Sequence, residues 1–138
     1  MKASTHTWET FYRKLAHLFY SVAASHRDIT REELNALHEE VNKIWVPLES
    51  SQDNFGTDAA YQIEFAFDWI MDNAVKSDKA FQVFEDYYKE NPELFGEDIT
   101  QRIYATTDHI ASAFHGEDKA EHAILMRTRV LLGRAEVL

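Results

Sequence analysis

No cysteine occurs in the 138 residues. Disulfides, thiolate metal sites and cysteine nucleophiles are therefore excluded, and a reducing compartment is the expected setting. Glycine and proline are scarce, at four and two, which favours long helices over many turns. No apolar stretch approaches the roughly 20 residues that a membrane span needs. The opening residues, Met1 to Trp8, carry no apolar run of the kind a signal peptide requires. These absences predict a cytoplasmic protein without a transmembrane segment. Catalytic signatures are missing too. The chain has no Gly-x-Ser-x-Gly elbow, no Gly-rich phosphate loop and no His-Glu-x-x-His. The positions three before His17, His38, His109 and His122 are Lys14, Asn35, Thr106 and Lys119, so the Glu-x-x-His pairs of a di-iron bundle are absent. An enzyme is not expected, and no cofactor is implied.

Cations are the remaining shortage. The formal net charge is -10, and between Ser51 and Thr100 three lysines face twelve acids, a local balance of -9. Such a surface repels phosphate backbones, which argues against nucleic acid as a partner. It serves solubility, or it docks a basic protein partner. The oligomeric state is not encoded in any feature of this kind.

What is present is apolar periodicity. The chain is 45% hydrophobic and 13% aromatic, enough for one domain, 1–138, with a real core. Trp8, Phe11, Tyr12, Leu15, Leu18, Phe19 and Val22 recur at three- and four-residue steps, one face of a first helix from about Trp8 to Ala24. Thr30 and Glu33 then form a Thr-x-x-Glu capping box opening a second helix, Arg31 to about Trp45, which Pro47 ends. The stretch from Glu49 to Gly56 reads as a polar, flexible crossing. Thr57 or Asp58 caps a third helix running to about Ala74, and Ser77 caps a fourth. Pro92 to Phe95 is a single turn. A fifth helix spans about Ile99 to Phe114, and a sixth runs from about Asp118 to Leu132, stopped by Gly133. The expected fold class is all-α: a single-domain bundle of five or six helices.

Val22-Ala23-Ala24, a polar turn, then Glu33-x-x-x-Leu37 parallels Ile110-Ala111-Ser112, a turn, then Glu121-x-x-x-Leu125. Two related helical hairpins, with the third and fourth helices between them, would produce this pattern. The stretch Leu15-Ala16-His17-Leu18-Phe19-Tyr20-Ser21-Val22-Ala23-Ala24, followed by Ile29-Thr30-Arg31-Glu32-Glu33-Leu34, resembles the tellurite-resistance TerB family of small all-helical domains. That resemblance covers the two hairpins, about half of the chain. It implies the fold, and a role in complexes at membranes or in stress responses rather than catalysis. The family usually carries Asp-Gly in the turn, associated with divalent cations. Here His26-Arg27 stands in the first turn and His115-Gly116 in the second, so the cation-binding function does not carry over.

Two sets of residues remain as candidate sites. His115, Asp118 and His122 have spacing that could hold a transition metal, which makes a metal-binding or metal-responsive protein the alternative function. The plainer reading, a helix N-terminus with a favourable Asp and two solvated histidines, is preferred. On the third helix Glu64, Asp68 and Asp72 recur every four residues, beside Tyr61, Phe65 and Trp69 at the same spacing. Like charges so placed cost roughly 0.2–0.5 kcal/mol per pair, and Arg127, inside an otherwise apolar stripe of the sixth helix, is the expected internal counter-ion. The aromatic stripe means either that the third helix is central and almost surrounded, or that it is an exposed contact patch. The first is the preferred reading of the stripe; the second makes the protein a non-enzymatic, TerB-like interaction module.

Overall fold

A computed structural model of the chain describes residues 4–25, 28–113 and 119–137, the side chains of 5 and 134–137 excepted. Six α-helices run α1 Thr5–Ala23, α2 Arg31–Glu40, α3 Gln62–Asp72, α4 Ser77–Glu90, α5 Glu97–Ser112 and α6 Lys119–Val137. Among the described residues the one β-type pairing is an isolated bridge between Gln52 and Asp58. The fold is an all-α bundle, as the periodicity predicts.

The centre of the bundle is α1. It packs most extensively against α3 and α4, and also against α5 and α6. Leu15 to Ser25 carries no formal charge, and a helix apolar on every side must be surrounded. Tyr12, Leu15, Ala16, Leu18, Phe19, Val22 and Ala23 are all fully buried, as is Ser21, whose hydroxyl donates to the Leu18 carbonyl at 2.6 Å. The expectation that α3 is central is therefore corrected. A second aromatic hub forms where Phe95 meets Phe11, Phe84 and Tyr88 at ring separations of 5.6, 5.7 and 5.1 Å.

The first hairpin opens as expected. Thr30 Oγ1 accepts from the Glu33 N–H at 3.2 Å, and the Glu33 carboxylate accepts from the Thr30 N–H at 2.9 Å. Yet α2 packs chiefly on α5, not back on α1. Past Glu40 the helix widens to a π-turn over Val41–Trp45 and tightens to a 3-10 turn over Val46–Leu48. Pro47 offers no N–H to the preceding turn. The Ile44 carbonyl is instead capped by the Arg102 guanidinium from α5. Trp45, fully buried between α1 and α5, donates its indole N–H to Thr106 Oγ1 at 3.0 Å.

Several boundaries differ from the sequence reading. Ser4, not a residue near Trp8, caps α1, its hydroxyl accepting from the Thr7 N–H. Glu49 to Gly56 is no loose crossing. Asp53 Oδ1 accepts from the N–H groups of Phe55 and Thr57 at 2.8 and 3.0 Å, Gly56 supplies a φ of 79°, and the Ala59 N–H reaches the Ser51 carbonyl at 2.7 Å. Asp58 caps the 3-10 turn Ala59–Tyr61 that leads into α3. Burial, partly offset by the Ala60 N–H it accepts, holds the Asp58 carboxyl above its ordinary range. Ser77 is the first residue of α4 rather than its cap, and its hydroxyl donates to the Ser21 carbonyl at 2.7 Å. Gly133 lies inside α6, since one glycine costs a helix only about 1 kcal/mol. Phe114 lies outside the described residues.

The paired hairpins have one structural echo. Glu33 and Glu121, at matching places in the proposed repeat, are both buried at about 1% exposure.

Candidate functional site on the outer face of α3

At 3.6 residues per turn, Glu64, Phe65, Asp68, Trp69 and Asp72 of α3 form one outward face, with the acids along one edge and the two rings along the other, and Tyr61 of the preceding 3-10 turn stands at its N-terminal end. The opposite face, Ile63, Phe67 and Ile70, is buried against α1. Phe65 is 56% exposed and Trp69 62%, so the exposed-patch alternative is the one the fold realises. Tyr61 is half-buried.

The face divides along its length. Its N-terminal end is tied to the end of α2 by a chain of polar contacts. The Tyr61 hydroxyl donates to Asn42 Oδ1, Asn42 Nδ2 donates to His38 Nε2 at 3.1 Å, and His38 Nδ1 meets Glu64 Oε1 at 2.7 Å. With Nε2 accepting, this pattern assigns the proton of a neutral His38 to Nδ1, which donates to Glu64. Tyr61 and Glu64 are thus held by the chain's own neighbours. Beyond them the face is open. Phe65, Asp68, Trp69 and Asp72 are all exposed, and neither Asp68 nor Asp72 has an ion-pair or hydrogen-bond partner among the described residues. Asn73 then turns its side chain back to the Trp69 carbonyl at 2.8 Å, and Ala74 ends the helix at a φ of 49°.

Arg127 does not reach α3. Its guanidinium lies 4.2 Å from the Phe81 ring centroid and 3.7 Å from Asp78 Oδ1, both on α4. The expected pair with Glu64, Asp68 or Asp72 does not exist, because α6 runs past α4. Among the described residues the cost of the acidic stripe is relieved at Glu64 alone.

Of the candidate metal ligands, His115 and Asp118 lie outside the described residues, and His122 is exposed on α6. Among the described residues no group of three or more His, Asp or Glu side chains is disposed to hold a metal ion, and no helix is long and apolar enough to cross a membrane.

One polar contact had escaped the sequence reading. Glu40, buried at the α2–α5 seam, accepts from His109 Nδ1 at 2.6 Å, while His109 Nε2 lies 3.7 Å from Glu39. The second Glu40 oxygen is buried without a partner. The signal was present: Glu40 sits between Leu37 and Val41 on the inward stripe of its helix, where an acid needs a donor. Comparison with protein-family models, with curated proteins and with solved structures finds no match for this chain.

Proposed function

We propose that the protein is a non-enzymatic interaction module whose partner docks on the open end of α3. One observation carries the reading: Phe65 and Trp69 stand one helical turn apart in solvent, with Asp68 and Asp72 beside them and without a partner among the described residues. Exposed aromatic side chains contribute large contact area at low conformational cost and are enriched at the centres of interfaces. Unpaired acids beside them favour a basic partner and disfavour nucleic acid. The same charge steers encounter with a cationic surface and weakens as salt screens it. The likeness of the stretches Leu15 to Ala24 and Ile29 to Leu34 to the TerB family supports a TerB-like module acting within a cytoplasmic complex. The substitution of His26-Arg27 for the family's Asp-Gly removes the reason to extend cation binding to this chain.

Affinity capture with the purified chain and with Phe65→Ala/Trp69→Ala, read by quantitative mass spectrometry, tests the reading. A stoichiometric partner held by the parent and lost from the double variant is expected. Identical capture by both chains would place the interaction elsewhere.

A further inference from the structure

α6 carries a second outward face, opposite in character to that of α3. Between Lys119 and Gly133 its cations are Lys119, Arg127 and Arg129, and its one acid, Glu121, is buried. Met126 is 62% exposed and Val130 53%, and Ala123 is exposed on the same side. At helical spacing Ala123, Met126 and Val130 form an aliphatic ridge, flanked by Arg127 on one edge and Arg129 on the other. In a chain of net charge -10, this is a basic, apolar strip on an otherwise acidic molecule. Beside it runs a groove of about 320 Å³, lined by Phe81, Glu85, Met126, Arg127, Val130 and Leu131. Each arginine lies over a ring, Arg127 over Phe81 and Arg129 over Tyr104, and each has an exposed carboxylate partner, Asp78 at 3.7 Å and Asp108 at 2.8 Å. Exposed pairs of this kind contribute little and exchange readily.

We infer that the α6 ridge of one molecule docks on the α3 face of a second copy of this chain. The inference rests on the proposed binding role of α3 and supplies its partner. The complementarity is specific in kind. Phe65 and Trp69 offer apolar surface to the Met126–Val130 ridge and groove, and methionine adapts to aromatic surfaces. Asp68 and Asp72 have no cation beside them among the described residues, Arg127 and Arg129 present one each, and an arginine so placed can also lie over the Trp69 ring. The contact joins two different faces, so it is head-to-tail. Each added copy leaves one α3 face and one α6 ridge free, and the assembly either closes into a ring or grows with concentration. The overall negative charge of both molecules opposes it, which makes the association weak and concentration-dependent.

Sedimentation equilibrium of the full chain, from micromolar to near-millimolar at physiological salt, tests the inference with two surface variants. Phe65→Ala/Trp69→Ala removes the α3 face, and Arg127→Glu/Arg129→Glu reverses the α6 rim. All four positions are exposed, and circular dichroism checks that both variants remain folded. The parent is expected to self-associate, and each variant alone is expected to be monomeric. A mixture of the two retains one intact face of each kind and is expected to form a 1:1 heterodimer that grows no further. A parent chain that stays monomeric throughout, association surviving in either variant, or a mixture that stays monomeric would each overturn the inference. If the parent is monomeric but a different basic protein is captured in a Trp69-dependent way, the self-docking fails and the binding role of α3 stands.

Discussion

α1 and α3 both carry aromatic side chains at helical spacing, and the bundle treats them oppositely. Phe11, Tyr12 and Phe19 of α1 are buried to 1% exposure or less, whereas Phe65 and Trp69 of α3 stay more than half exposed. The difference lies in what surrounds the rings in sequence. α1 carries Glu9, Arg13 and Lys14 in its first half, and from Leu15 to Ala23 it offers no formal charge. α3 interleaves its outer aromatics with Glu64, Asp68 and Asp72, and buried carboxylates without partners are costly. The acids hold that side of the helix in solvent and take the neighbouring rings with it. Aromatic periodicity alone does not distinguish a buried ring from an exposed one; on α3 the exposed rings are those that share a helix face with the acids.

The comparison is sharpened first where burial is complete. Phe19→Ala is expected to cost about 3–5 kcal/mol, since a large ring leaves a cavity the bundle cannot close. Urea denaturation measures the loss directly. A cost below about 1 kcal/mol, the range of surface changes, would mean that α1 is not the centre of the core.

A polar version of the contrast sets His109 against His38. Among the described residues His109 is the one donor to a buried Glu40, and His109→Ala should cost about 1–3 kcal/mol because it strands that carboxylate. His38 contacts the partly exposed Glu64 from a position 61% exposed, and His38→Ala should change stability by no more than about 0.5 kcal/mol. Equal losses in the two variants would dissolve the distinction between seam and surface.

Helix ends give smaller effects. Thr30→Ala should lose about 1 kcal/mol with one arm of the capping box. Ala74 adopts the left-handed conformation in which glycine is usual at a helix C-terminus. Ala74→Gly should therefore raise stability by roughly 0.5 kcal/mol, visible as a higher unfolding midpoint. A lower midpoint would show that the strain at Ala74 is outweighed by the added freedom of glycine in the unfolded chain.

The features legible in the sequence were the local ones. The capping box needs only Thr30 and Glu33, three residues apart, and it forms as read. The six helices follow from periodicity and from Pro and Asn placed between segments. The long-range partners were not legible. Arg127 reads as an interruption of an inward apolar stripe, but it is exposed at the edge of that stripe, and the register of α6 says nothing about whether α3 or α4 lies beside it; it lies beside α4. The hairpin reading likewise assumed that consecutive helices pack together, whereas α2 crosses to α5. The six residues of the candidate surface are a proposal of the sequence pattern, of which Phe65, Asp68, Trp69 and Asp72 are exposed and Tyr61 and Glu64 half-buried. The division of that surface into a tethered end and an open end was not legible, because it depends on His38 and Asn42 of the preceding helix.

The central claim, that the outer rings of α3 serve binding and not folding, is tested most directly by urea denaturation of Phe65→Ala/Trp69→Ala beside the parent chain. An unfolding free energy within about 1 kcal/mol of the parent, two surface changes together, is the expected result. A loss near the roughly 3–5 kcal/mol of a buried ring would contradict it and return both side chains to the core.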